Sequence, residues 1–144
     1  MLDVQRYRGA IHLEEIQHTR QWMWLHMILG AVMITMFLFH EIFRWFAGAV
    51  VWYAISLMIM YGFMNGRRLF KWLLALIYLA GAGGGVFFIN RVFPAIEAPR
   101  GALIPHEVIP IWVGLGSLTY AVSALFVLFS SRIGKAAKTG FTLW

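Results

Sequence analysis

The stretch VIPIWVGLGSLTYAVSALFVLFSS, residues 108–131, runs for 24 residues without an Asp, Glu, Lys or Arg. A helix rises ~1.5 Å per residue, so about 20 apolar residues cross a ~30 Å hydrocarbon core. Inside that core no water satisfies an open backbone N–H or C=O, and a single apolar run meets the demand by becoming a helix. Residues 21–40, 45–66 and 72–90 are charge-free in the same way, over 20, 22 and 19 residues. The chain therefore reads as an all-α integral membrane protein: a four-helix bundle forming one membrane domain over residues 1–144.

Composition agrees. Of 144 residues, 61% are hydrophobic and 12% charged, which leaves no room for a soluble domain beside the spans. The absence of cysteine removes disulfides, thiolate metal sites and cysteine nucleophiles. A net charge of +6 could suggest nucleic acid, but the basic residues fall in short segments between apolar runs and build no groove. They read as topology.

Nine of the twelve Lys and Arg residues lie in three segments that alternate passage places on one side. These are Arg6, Arg8 and Arg20; Arg67, Arg68 and Lys71; and Arg132, Lys135 and Lys138. The positive-inside rule then puts both termini in the cytoplasm of a bacterial-type inner membrane. Residues 1–20 are polar and mixed in charge with no small-residue cleavage pattern after the first span, so that span is expected to remain in place. Before it, GAIHLEEIQHTRQW (residues 9–22) predicts a short amphipathic cytoplasmic helix running into the span. Arg67, Arg68, Lys71, Lys135, Lys138 and the terminal Trp144 are candidates for contact with anionic lipid or a partner.

The opposite side carries Arg44, Arg91 and Arg100, offset by Glu41, Glu97 and Glu107. Residues 91–107, RVFPAIEAPRGALIPHE, form a long outer loop in which Pro94, Pro99 and Pro105 oppose regular structure. Its Ala, Ile, Leu and Val content suits the outer interface or a partner surface better than a solvated linker.

Small residues cluster in three spans. GAGGG, residues 81–85, offers Gly81 and Gly85 as a small-xxx-small pair, Gly62 and Gly66 repeat that spacing, and Gly114 contributes to a small face on the last span. Close helix packing is the preferred reading; a local break in the helix at 81–85 is the alternative.

Few residues offer chemistry. Within the charge-free stretches the ionisable groups that bear on function are His26 and His40, which argues against an acidic proton relay. Fourteen residues apart, they lie close to one helix face, a spacing that suits two stacked b-type haems if second ligands come from elsewhere. His40 and His106 reach the same outer surface from different spans and are the candidate metal pair, with zinc the ion considered and Glu41 or Glu107 as a third ligand. Glu41 with Arg44, and Glu107 at a helix start, also have plain structural roles. His12, Glu15 and His18 share a face of the N-terminal helix without enough carboxylates for a metal centre. No phosphate loop, His-Glu-x-x-His or Gly-x-Ser-x-Gly motif is present, so an enzyme is not the favoured class and the expected cofactor is none. The leading expectation is an accessory or assembly subunit, whose partners are membrane lipids and other membrane subunits or its own copies, and not nucleic acid. A small oligomeric channel or transporter and a haem- or metal-binding subunit are the alternatives.

Overall fold

A computed structural model describes residues 2–40, 42–98, 100–101 and 103–139, with side chains excluded at 2–15, 43 and 136–139. Among the described residues five α-helices occur in order: α1 (Leu2–Phe39), α2 (Phe43–Met64), α3 (Arg68–Phe87), α4 (Val108–Phe129) and α5 (Ser131–Thr139). No strand occurs among them. Four segments of the described residues are long and apolar enough to cross a membrane: Ile16–Phe39, Arg44–Met64, Arg68–Ala95 and Val108–Phe129. The chain is a multi-pass, all-helical membrane protein.

The N-terminal segment is helical and continues into the first span. α1 runs unbroken for 38 residues, or ~57 Å, nearly twice the hydrocarbon thickness. The expected amphipathic face at residues 9–15 falls on side chains outside the described residues, as do the side chain of Lys138 and all of Trp144.

At its other end α1 stops at Phe39, and α2 begins after only three intervening residues, so the two helices pack as antiparallel neighbours. The α2–α3 turn is equally tight. Gly66 adopts φ of 73° there, and its N–H donates to the Phe63 carbonyl at 3.1 Å. A left-handed residue after a helix end is where glycine avoids the Cβ penalty. Gly66 therefore ends a helix, whereas its spacing from Gly62 had suggested a packing role. Gly62 itself does face a neighbour, since a Cβ there would fall on the Phe70 ring.

The third span extends beyond its expected end. α3 passes into a π-turn at Phe88–Val92 and a 3-10 turn at Phe93–Ala95, so helical structure covers the first five residues of the expected loop. Pro94 is accommodated because it sits in the first positions of the 3-10 turn, where its missing N–H has no helical partner to lose. The GAGGG stretch is regular α-helix without a break.

Two apolar clusters hold the bundle. One, at the end bearing the 65–67 turn and α5, joins Met23, Phe63, Leu74, Tyr78, Val127 and Ile133. The other, at the loop-bearing end, joins Met36, Phe37, Ile42, Phe88, Ile109 and Val113. Polar bonds cross between helices: Trp22 Nε1 donates to Ser123 Oγ at 3.2 Å, and the Tyr53 hydroxyl to the Met27 carbonyl at 2.8 Å. α5 turns back beneath the bundle after Ser130, whose ψ is 121°, and it anchors there through fully buried Ile133.

Candidate functional site

The two outer histidines meet. His40, ending α1 and 1% exposed, has its Nε2 3.0 Å from Nδ1 of His106. Its Nδ1 lies 3.2 Å from the Ile104 carbonyl oxygen. That oxygen can only accept, so Nδ1 of His40 donates. In neutral His40 the Nε2 then accepts, and His106 Nδ1–H is the donor to it. The His106 ring also stacks on Phe93, with centroids 4.3 Å apart and planes at 22°. Phe93 reaches it because the π-turn takes an extra residue per turn and so rotates the residues after it. The pair thus fastens the 96–107 loop to the end of α1.

As a metal centre the pair supplies two nitrogens. Among the described residues no group of three or more His, Asp or Glu converges. Glu41 lies outside the described residues, and Glu107 stands exposed at the N-cap of α4. His26 is set apart, fourteen residues before His40 in the chain, ringed by Trp22, Tyr78 and Tyr120 with centroids 4.7, 4.8 and 6.0 Å away. Its Nδ1 donates to the Trp22 carbonyl at 3.0 Å. Its Nε2 and the nearby Tyr78 hydroxyl are buried without a hydrogen-bond partner among the described residues.

The basic candidates divide. Arg67 and Arg68 are exposed at the start of α3. Lys71 instead turns inward, its Nζ donating to the Leu128 carbonyl at 3.4 Å, where a cation complements the C-terminal end of α4. Lys135 is exposed on α5.

The feature that sequence reasoning missed lies between the two apolar clusters. A cavity of about 340 Å³ is walled by all four spans, with Phe37, Trp45, Trp52, Tyr53, Phe88 and Tyr120 as its large side chains and glycines at 30, 48, 81, 84, 85 and 116. It spans Gly30–Phe37, Trp45–Tyr53, Ala80–Phe88 and Val113–Tyr120 on the four helices, roughly 10–12 Å along the bundle. Its glycines are of two kinds. Gly81 and Gly85 receive α4, because a Cβ at 81 would sit 3.0 Å from the Tyr120 ring and one at 85 would strike Ser117 Oγ. A Cβ at Gly48 or Gly84 would meet no atom within 4 Å. Trp45 and Gly48 on α2, with Ala80 and Gly84 on α3, are exposed while lining the cavity, so it opens sideways between these helices toward the bilayer. Gly114 lies outside this wall, where a Cβ would make an ordinary 3.7 Å contact with Ile89.

Two hydroxyls on the wall are already engaged within the protein. Ser117 donates to Val113 O at 2.9 Å, and Tyr53 donates to Met27 O at 2.8 Å. The wall is therefore suited to hydrocarbon. The chain matches no family model, no curated protein and no solved structure.

Proposed function

We propose that the chain is an accessory membrane subunit whose working surface is the lateral α2–α3 cleft, into which the bilayer presents an apolar guest. One observation carries this reading: Gly48 of α2 and Gly84 of α3 both line the cavity with open space where a Cβ would stand, whereas Gly81 and Gly85 are consumed by packing inside the bundle. Without a hydrophobic drive between helices in lipid, small residues are where another group can approach closely. The apolar clusters at both ends of the cavity favour a lateral binding site over an axial channel. The density of Arg and Lys near the 65–67 turn and α5 favours a cytoplasmic location for that end, in an inner membrane.

The absence of native cysteine makes the test clean. Gly48→Cys and Gly84→Cys, each carrying a photoactivatable maleimide, are cross-linked in native membranes beside Val122→Cys on the exposed face of α4. Discrete adducts are expected from the two cleft positions and diffuse labelling from Val122→Cys. The same diffuse pattern at all three positions would sink the proposal.

A further inference from the structure

The cleft's shape and the charges at its mouth name the guest. We infer that it is a lipid with an anionic phosphate head, its hydrocarbon chain between α2 and α3 and its phosphate held by Arg44 and Arg91. This rests on the cleft being the working surface.

Size favours a chain over a helix. A helix with side chains is ~10–12 Å across, too wide for a cavity of about 340 Å³ that is itself roughly 10–12 Å long. A single extended acyl chain is narrow enough and needs no polar partner, which matches a wall with two hydroxyls bonded within the protein. Glycines at 48 and 84 let such a chain enter from the bilayer without leaving it.

The mouth supplies the head site. Arg44 immediately precedes Trp45, and Arg91 lies three residues after Phe88 within the π-turn; the Trp45 and Phe88 rings touch edge to face, 5.2 Å between centroids, at the loop-bearing end. That ring contact joins α2 and the end of α3 close to the residues that carry the two cations. Both are exposed, and no ion pair joins either to an acid among the described residues, which leave out Glu41. Arg44 itself lies in the first turn of α2, which begins at Phe43 with no side-chain cap on Ile42 and no acid in that turn. The positive end of a helix dipole thereby adds to the two guanidiniums. Guanidinium and phosphate pair through two parallel charge-assisted bonds. The acidic residues described at this end, Glu97 and Glu107, are exposed on the loop and at the start of α4.

The test is native mass measurement on protein reconstituted in vesicles of equal phosphatidylglycerol and phosphatidylcholine, then extracted in mild detergent. One retained phosphatidylglycerol per chain is expected, favoured roughly tenfold over phosphatidylcholine. Gly84→Leu and, from the opposite wall, Gly48→Leu each fill the cleft and should lower retention of both lipids, with helicity and monodispersity confirming the fold. Arg44→Gln with Arg91→Gln should erase the preference while a lipid is still retained. Glycerol phosphate, the head without the chain, should displace nothing. Equal retention of the two lipids by the wild type, displacement by glycerol phosphate, or indifference to both leucine variants would overturn the inference. Cross-linking of Gly84→Cys to a protein with no lipid retained would remove the lipid and leave the subunit reading standing. Neither lipid nor protein at the cleft would end both.

Discussion

Gly85 of α3 and Ser117 of α4 stand so close that a methyl group on the glycine would fall on the serine hydroxyl. One residue earlier, Gly84 faces open space. Two neighbouring glycines in one helix therefore do opposite things, one letting a helix in and the other holding a gap open.

The contrast gives the first prediction. Gly85→Ala should destabilise the bundle by about 1–3 kcal/mol through overpacking of the α3–α4 contact. Gly84→Ala should be neutral or stabilising by up to about 1 kcal/mol, from helix propensity alone. Thermal unfolding of both variants in the same detergent decides it; equal losses would mean that the two glycines share one environment.

The histidine latch gives the second. His106→Phe keeps a ring to stack on Phe93 but removes the donor to His40. A loss of about 1 kcal/mol is expected, with faster amide exchange in residues 103–107 and little change at α3. Because the bond is made by a proton, the wild type should keep its stability in the presence of a strong chelator. A drop on chelation that His106→Phe abolishes would instead make the pair a metal site.

A third concerns the inner polar pair. The Tyr78 hydroxyl is buried without a hydrogen-bond partner among the described residues, and an unmet buried hydroxyl costs about 1–3 kcal/mol. Tyr78→Phe should therefore leave stability unchanged or raise it, by about 1 kcal/mol at most in a site that keeps its other ring contacts. A clear loss would reveal an ordered water joining Tyr78 to His26 Nε2.

The four spans were legible from charge-free run lengths, because hydrocarbon thickness sets a ruler that sequence alone can be held against. The meeting of His40 and His106 was legible as a location, since alternate passage puts the ends of the first and fourth spans on one surface. Their direct bond was not, because it depends on the path of the 96–107 loop; the stack of Phe93 on His106 depends further on a π-turn that no residue pattern announced. The cavity was hidden for a related reason. GAGGG advertises close approach, but which glycine meets a helix and which meets space depends on the rotation of α3 against α4, a quantity that a small-xxx-small spacing leaves open. Gly66 shows the same ambiguity, its spacing suggesting packing and its backbone ending a helix. Lys71 read as a surface cation until α4's last carbonyls were seen within its reach.

A π-turn is an α-helix that has gained a residue, and the turn at Phe88–Val92 sits between the packed bundle and the ring of Phe93 on His106. Substitution can strengthen or weaken that stack, but it cannot rotate Phe93 back by the ~100° that one residue represents. Only a change in chain length can do so. The seating of the loop on α1 is therefore set in whole-residue steps, by insertion or deletion, while the bundle beneath it remains adjustable one side chain at a time.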